Sequence, residues 1–264
     1  MKITFIGAGN MAEAIISGII KNKKVDKKEI TVSDISQERL DYMLETFGIN
    51  ASIDNNTAVK GADVIVLAIK PQAFSKVWDD LHASISPDVL IISIMAGVSS
   101  DKIENGTKRR VVRVMPNTPA LIGQGVSGVS AGKFASYKDM DIALDLMSAC
   151  GLALEFSEDK LHAVTALSGS GPAYIFYFIE AMCAAGVELG LTKEDALILA
   201  KATAAGASNM AMEANDLPEV LRNRVTSKGG TTAAALDALS EQKVDEAISR
   251  AMKAAVIRSK ELAK

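Results

Sequence analysis

Short apolar runs alternate, in the first half of the chain, with longer segments in which apolar residues recur every three or four positions. The apolar runs predict buried strands at ITFIG, EITVSD, ADVIVLAIK, DVLIISIM, RRVVRVM and GLALEF. The intervening segments predict amphipathic helices, one of which places Met11, Ile15 and Ile19 on a single face. This alternation predicts an α/β fold with a parallel sheet covered by helices on both sides.

Polar residues and glycines indicate where several of these helices begin and end. Ser36 and Gly48 have the positions of an N-cap and a C-terminal stop, and Pro71 opens a further helix at its first turn. Thr192 and Asp195 have the spacing of a capping box at the start of a long helix. We expect another helix near residues 137–150.

The strand signals end near residue 157, and helical patterns follow to the end of the chain. A long helix beginning at Pro172 carries apolar residues on nearly all sides, among them Phe176, Phe178 and Met182. A helix that is apolar all round must be buried, and a small helical domain offers little interior for it. We therefore expect burial against a second copy of the chain, with domain limits of 1–156 and 157–264.

The segment FIGAGNMAEA joins the first predicted strand to the first predicted helix. Gly7 permits a tight turn, Gly9 allows a close backbone approach to a pyrophosphate, and Ala12 permits close packing of helix on strand. The pyrophosphate would lie on the free N–H groups of the helix N-terminus. This context predicts a Rossmann dinucleotide-binding domain, although such turns also occur for packing alone.

Asp34 ends the second predicted strand, where an acidic residue can bind the adenosine ribose hydroxyls of NADH and repel a 2′-phosphate. The alternative is a turn or helix-capping acid, since SDIS is also typical of a turn. The nearest cation, Arg39, falls inside the following helix and is expected on its solvent-exposed face. The choice between NADH and NADPH stays open.

Two more loops follow predicted strands, at the sheet edge where open α/β folds bind ligands. Lys70 lies in AIKP and either contacts a ribose or substrate, or is an ordinary solvated lysine. Two prolines stiffen MPNTPA and fix the direction of polar groups such as those of Asn117, a candidate cofactor contact.

Charge and composition narrow the classes of partner. The net charge of −3 argues against nucleic acid and anionic membranes. The two cysteines form no CxxC and the two histidines are isolated, so we expect neither a disulfide framework nor a metal site. The N-terminus lacks a secretory pattern and the apolar runs are too short to span a bilayer, which favours a cytoplasmic protein.

The segment VTSKGGTTAAAL interrupts an otherwise helical region with two adjacent glycines, each costing about 1 kcal/mol in a helix relative to alanine. It is either a loop between helices or a backbone site for a small anion. The helix from residue 171 to 190 contains no lysine or histidine that could move a hydroxyl proton. A protonated imine needs no such group, which favours a small cyclic imine with a carboxylate that SKGGTT would bind.

The segments GAGNMAEAI, AIKPQ, MPNTPA, LSGSGPAY and VTSKGGTTAAALDAL occur in the order typical of the Δ1-pyrroline-5-carboxylate reductases of proline biosynthesis. The chain resembles that family over essentially its whole length, most specifically in SGSGPAY and SKGGTT. The resemblance implies a Rossmann domain and an all-α dimerisation domain. It also implies reduction of the imine to L-proline with NADPH or NADH, and homodimers that in several members assemble into decamers.

The resemblance also assigns candidate site residues. The implied cofactor contacts are Gly7, Ala8, Gly9, Asn10, Met11, Asp34, Asn55, Ala68, Ile69, Lys70, Pro71, Ala96 and Gly97. The implied substrate contacts are Ser227, Gly229, Gly230, Thr231, Thr232 and Glu158. Backbone N–H groups of residues 230–232 would bind the carboxylate, and the Thr232 hydroxyl, the candidate catalytic group, would approach the ring nitrogen. Members that favour NADPH usually carry an uncharged residue at the position of Asp34.

Two other functions compete with this interpretation. A β-hydroxyacid dehydrogenase has the same domain layout. Members of that family resemble one another in carrying a lysine on the interdomain helix, and this sequence lacks one. A non-catalytic nucleotide sensor would bind NAD(P)H without turnover and would have no use for the SKGGTT segment.

Overall fold

Eight strands form one sheet in the computed structural model, which describes residues 1–263. The strands are β1 (Ile3–Ile6), β2 (Ile30–Ser33), β3 (Asn50–Ser52), β4 (Val64–Leu67), β5 (Leu90–Ser93), β6 (Arg110–Met115), β7 (Gly125–Ala131) and β8 (Gly151–Glu155). Their order across the sheet is β3-β2-β1-β4-β5-β6-β7-β8. The reversal of strand order beside β1 is the arrangement at which doubly wound sheets bind nucleotides.

The sheet is parallel except at one pair, because β7 runs antiparallel to β6 while β8 is parallel to β7. The prediction of a parallel sheet is therefore wrong at the β6–β7 pair. Strands β3 and β7 were not among those predicted from the apolar runs. In β7 the two valines, Val126 and Val129, are three residues apart among glycine and serine, so the segment lacks the alternation that indicates a strand.

Twelve helices accompany the strands in the described part of the chain. They are α1 (Asn10–Lys21), α2 (Gln37–Phe47), α3 (Asn55–Ala58), α4 (Phe74–Leu81), α5 (Ser100–Glu104), α6 (Tyr137–Ser148), α7 (Leu161–Val164), α8 (Gly171–Glu188), α9 (Lys193–Glu213), α10 (Pro218–Arg224), α11 (Thr231–Glu241) and α12 (Val244–Leu262). The predicted caps are confirmed at α2, where the Ser36 hydroxyl accepts a bond from the Arg39 N–H and Gly48 is left-handed, and at the Thr192 N-cap of α9. Pro71 opens a short 3-10 turn that leads into α4.

Alternate residues of each central strand enter two separate apolar layers. Val64 and Val66 of β4 pack in the layer that includes residues of α1, α2 and α6, whereas Ile65 and Leu67 pack in the layer that includes residues of α4 and α5. Successive strand side chains point to opposite faces, so this arrangement covers the sheet with helices on both sides, as predicted.

The chain divides into two compact units. The first comprises Met1–Ser170 with the C-terminal segment from Ala255, and the second is Gly171–Ala254. Residues 157–170 pack with the first unit, where Leu161 and Ala166 are buried, and His162 Nδ1 lies 2.9 Å from the Ser259 hydroxyl of the C-terminal segment. The compact units thus differ from the predicted limits of 1–156 and 157–264 in these two segments.

The second unit is helical, and in it the long helix α8 has no buried residue within the single chain. Phe176 and Tyr177 are 59% and 70% exposed, and α9 buries only Ala196 and Ala200. The apolar sides of α8 that were expected to need burial are thus open in one copy. No helix in residues 1–263 is long and apolar enough to cross a membrane.

Candidate functional site

The loop between β1 and α1 passes directly over the end of β4. Gly7 has φ of +104°, and a Cβ there would lie only 2.6 Å from the carbonyl oxygen of Ala68. The Gly7 N–H donates to Ser33 O at 2.7 Å, and the Ala68 N–H donates to Ile6 O at 2.8 Å. Only glycine fits this conformation and clearance, so the predicted role of Gly7 in a tight turn is physically required.

Helix α1 begins without a side-chain cap. Its N-cap is Gly9, and the first bond within the helix runs from the Glu13 N–H to Gly9 O at 3.0 Å. The preceding N–H groups, those of Asn10 and Met11 among them, have no earlier turn of helix to bond. A Cβ at Gly9 would meet no atom within 4 Å, so the space beside the N-cap is open. The entrance can therefore hold an anion.

One side of this entrance is formed by the ends of β1 and β2. The Asp34 carboxylate accepts hydrogen bonds from the Ala8 N–H at 2.7 Å and from the Ser36 N–H at 2.9 Å. Asn55 begins α3 beside the same strand end, and its Oδ1 accepts a bond from the Ser33 hydroxyl at 2.7 Å. The structure thus brings Asp34 and Asn55 to the glycine loop, as a shared cofactor site requires.

Arg39 is not the solvent-facing residue that its position in α2 suggested. Its Nε donates to Ala8 O at 2.9 Å and its Nη2 to the Glu13 carboxylate at 2.7 Å. The guanidinium lies 4.7 Å from the centre of the Tyr42 ring, and the Tyr42 hydroxyl donates to Glu13 at 2.9 Å. The expectation was wrong because Glu13 lies on α1, 26 residues earlier, and the pairing depends on the packing of two helices.

The remaining candidate cofactor residues lie at the ends of β4 and β5. The Ile69 side chain contacts the position that a Gly7 Cβ would occupy, and Lys70 is exposed ahead of the turn that Pro71 begins. Gly97 follows β5 with φ of +79° and lies against the backbone of Leu262 at the end of α12.

Asn117 is buried and binds two other segments of the first unit. Its Oδ1 accepts a bond from the Val126 N–H at 2.8 Å, and its Nδ2 donates to Ser168 O at 3.0 Å. The stiff MPNTPA turn therefore positions the start of β7 and the segment before α8 through this side chain. Its predicted cofactor contact stays a prediction.

Glu158 lies in a compact charged network. Its carboxylate accepts hydrogen bonds from the Ser100 N–H at 2.9 Å, from the Ser100 hydroxyl, and from Arg113 Nη1 at 2.8 Å. Burial by itself raises the pKa of the Glu158 carboxyl, but the bonds from Ser100 and Arg113 outweigh it, so the net pKa is below the ordinary value. This carboxylate is therefore held ionised and in one orientation.

The SKGGTT segment forms a tight turn that leads into α11. The turn is closed by the Gly230 N–H, which donates to Ser227 O at 3.0 Å, and Gly229 has φ of +71°. Helix α11 has Gly230 as its N-cap with no side-chain cap, and its first internal bond runs from the Ala234 N–H to Gly230 O. The N–H groups of Thr231 and Thr232 therefore have no partner from an earlier turn.

Sequence reasoning missed Glu13, Tyr42, Ser100 and Arg113. The bonds Arg39–Glu13, Tyr42–Glu13, Ser100–Glu158 and Arg113–Glu158 each join distant parts of the chain, so no local motif contains the pair. The available signals were weak: Arg39 and Tyr42 have the i,i+3 spacing of neighbours on a helix, and Arg113 is a charge between valines inside a strand.

Two family models match the chain. Residues 158–262 match the model described as pyrroline-5-carboxylate reductase dimerisation. Residues 2–97 match the model described as NADP oxidoreductase coenzyme F420-dependent. The two matches cover the helical region and the glycine-loop half of the sheet.

Whole-chain relatives agree with these matches. The pyrroline-5-carboxylate reductase of Pseudomonas aeruginosa is 43% identical over 265 residues, covering 99% of this chain and 97% of the relative. A solved pyrroline-5-carboxylate reductase from Coxiella burnetii is 41% identical, with a TM-score of 0.94 over 100% of this chain and 98% of that one. The Plasmodium falciparum pyrroline carboxylate reductase with NADP bound is 30% identical, with a TM-score of 0.89 and the same coverage.

Proposed function

The chain belongs to the pyrroline-5-carboxylate reductase family, and on that premise we propose how its two glycine-capped helices divide the reactants between them. The enzyme catalyses the NAD(P)H-dependent reduction of 1-pyrroline-5-carboxylate to L-proline. The start of α1, from Gly9 to Met11, is the α1 entrance and binds the cofactor. The start of α11, from Ser227 to Thr232, is the α11 entrance and binds the carboxylate of the substrate.

The residues at the α1 entrance fit a dinucleotide. The uncapped N–H groups after Gly9 suit a pyrophosphate, and the Asp34 carboxylate with the Asn55 amide suits a ribose. The exposed Lys70 and the backbone of residues 68–71, 96 and 97 complete the proposed contacts. When bound, NADPH or NADH supplies the hydride that the imine carbon accepts.

At the second entrance, the uncapped N–H groups of Thr231 and Thr232 bind the carboxylate. The Gly230 N–H, expected from the sequence to be a third donor, is instead engaged by Ser227 O. Open space around Gly229, where a Cβ would meet nothing within 4 Å, admits the ligand to these donors. The Ser227 carbonyl closes the turn and fixes its shape. This arrangement gives a small anion charge-assisted hydrogen bonds and the positive end of a helix dipole.

The chemistry requires little of the protein beyond positioning. In the protonated imine the carbon is already electrophilic, and the π electrons of the C=N bond move to the ring nitrogen, which keeps its proton and becomes the amine of proline. The Thr232 hydroxyl accepts a hydrogen bond from that nitrogen and orients the ring. Glu158, held ionised by Ser100 and Arg113, is a further proposed substrate contact. Asn117 is a proposed cofactor contact that also holds the start of β7.

The helical domain self-associates, in keeping with the dimerisation model that it matches and with the open apolar sides of α8. We propose homodimers that assemble further, to decamers, without nucleic-acid or membrane partners. The cytoplasm, which supplies reduced nicotinamide cofactors for biosynthesis, is the proposed location.

The observation that carries the proposed mechanism is the uncapped start of α11 after a turn that is open at Gly229. The test incubates the purified protein with pyrroline-5-carboxylate and either NADH or NADPH, and follows nicotinamide absorbance and proline formation. We expect one proline for each cofactor oxidised. No oxidation of either cofactor, with activity towards a 2-hydroxy acid or keto acid instead, would contradict the proposal.

A further inference from the structure

The glycine loop is flanked by a second charged cluster, which consists of Asp34, Glu13, Arg39 and Tyr42. We propose that Glu13 is a specificity-determining residue, because it neutralises Arg39 and so makes the adenosine site select the ribose diol of NADH over the 2′-phosphate of NADPH. This inference rests on the proposed function only in taking a dinucleotide as the ligand of the α1 entrance.

Asp34 is fixed in the orientation that suits a diol. One carboxylate oxygen accepts from the Ala8 N–H and the other from the Ser36 N–H, at 2.7 and 2.9 Å. Each oxygen keeps one lone pair for a further donor. Two ribose hydroxyls can donate to that pair of acceptors, whereas a phosphate has only acceptor oxygens and negative charge to present.

Arg39 is the cation that could reverse this preference, since an arginine close to the ribose accommodates a 2′-phosphate. Its guanidinium is already engaged by Ala8 O and the Glu13 carboxylate, and it stacks on Tyr42. Glu13 is held in turn by the Tyr42 hydroxyl. The side chains of Arg39 and Glu13 are only 32% and 21% exposed, so the pair is partly shielded from solvent.

The charges in the cluster therefore favour a neutral ligand group. Asp34 and Glu13 contribute two negative charges and Arg39 one positive charge, so a phosphate would add to a net negative site. Glu13 acts through Arg39 and is a positioning residue, whereas Asp34 contacts the ligand itself.

The test measures binding of the adenosine half alone, by titration calorimetry with 5′-ADP and 2′,5′-ADP. For the wild-type protein we expect tighter binding of 5′-ADP. In Glu13→Gln the released arginine should improve 2′,5′-ADP binding about tenfold relative to 5′-ADP, the scale of one hydrogen bond to a charged group. Glu45→Gln, which removes an exposed charge from the same α2 helix as Arg39, should leave the ratio unchanged.

A double variant separates this role from a structural one. If Glu13 acts through Arg39, Glu13→Gln should have no effect on the ratio in an Arg39→Ala background. Asp34→Ser should shift the ratio at least as far as Glu13→Gln. Tighter binding of 2′,5′-ADP by the wild type, or the same ratio in Glu13→Gln, would overturn the inference and leave the proposed reductase function intact. Failure of both nucleotides to bind would overturn the assignment of the α1 entrance itself.

Discussion

Helices α1 and α11 both begin at a glycine N-cap with no side-chain cap, but different forces shape the two entrances. The α1 entrance is fixed by distant segments, since Gly7 bonds to β2, lies over Ala68 just after β4, and is followed by the Ala8–Asp34 bond. The α11 entrance is fixed by its own turn, through the bond between Gly230 and Ser227.

This difference agrees with the different ligands proposed for the two entrances. A dinucleotide extends over several strand ends, so residues from several segments must converge on it. A small carboxylate needs a few N–H donors in one place, which a single turn and the first residues of a helix provide. Substitutions at the α1 entrance should therefore change both stability and cofactor binding, whereas substitutions at the α11 entrance should change activity towards the imine alone.

The largest effect is expected from Gly7→Ala. Its φ of +104° and the 2.6 Å approach to Ala68 O would force the loop away from β4. We expect a loss of roughly 3 kcal/mol in the free energy of unfolding, together with loss of NADH binding. Urea unfolding and cofactor titration measure the two effects.

Gly61→Ala is the matched control, since Gly61 also has positive φ, +74°, but has no atom within 4 Å of its Cβ position. It should cost only about 1 kcal/mol of left-handed strain and leave cofactor binding unchanged. Equal losses in the two variants would show that the contact with β4 does not shape the entrance.

Thr232→Ala tests the local character of the second entrance. Losing the hydroxyl that orients the ring nitrogen should lower kcat/KM for pyrroline-5-carboxylate by about 10- to 100-fold. The dissociation constant for NADH should stay within about twofold, because no hydroxyl of this turn contacts the cofactor in the proposal. Steady-state kinetics and cofactor titration measure both quantities.

Thr231→Ala provides the comparison, since the proposal uses only the backbone N–H of Thr231, and its side chain is exposed. It should retain most of the activity. A loss of cofactor affinity in Thr232→Ala, or the same loss of activity in both variants, would contradict the proposal that one entrance binds the cofactor and the other the substrate.

Glu158→Gln should have a smaller effect, and mainly on stability. Removing the charge that faces Arg113 should lower the free energy of unfolding at neutral pH by about 1–2 kcal/mol. Because the folded-state pKa of Glu158 is lowered, its stabilising contribution is present at neutral pH and is lost as the pH falls through that folded pKa. The stability difference between wild type and variant should therefore shrink in acid.

Unfolding curves at several pH values measure this difference, with Glu155→Gln, an exposed neighbour at the end of β8, as the control. A difference that persists unchanged in acid would contradict the lowered pKa.

The parts of the fold that could be predicted were those that depend on residues close together in the sequence. The apolar runs located six of the strands, and Ser36, Gly48 and Thr192 marked helix ends because capping depends on neighbouring residues. Strand β7 escaped prediction, since its pairing with β6 stabilises a segment whose own pattern is weak. The attachment of residues 157–170 to the first unit depends on packing that no periodicity reveals.

The same distinction holds for the candidate site. The Gly7–Gly9 and Gly229–Gly230 motifs could be recognised because their turn chemistry lies within a few residues. The Glu13–Arg39 pair and the Ser100–Glu158–Arg113 network could not, because their partners are 26, 58 and 45 residues apart. The groups proposed to contact ligands could thus be recognised from the sequence, whereas the side chains that hold or neutralise their neighbours could be found only from the fold.

The central claim is that the α11 entrance binds the carboxylate of the imine. The most direct measurement compares kcat/KM for pyrroline-5-carboxylate with that for 1-pyrroline, which has the same C=N bond and no carboxylate. We predict a preference for pyrroline-5-carboxylate of about 100-fold or more, from the charge-assisted hydrogen bonds of the Thr231 and Thr232 N–H groups, which Thr232→Ala does not abolish. Equal kcat/KM values for the two imines would contradict the account.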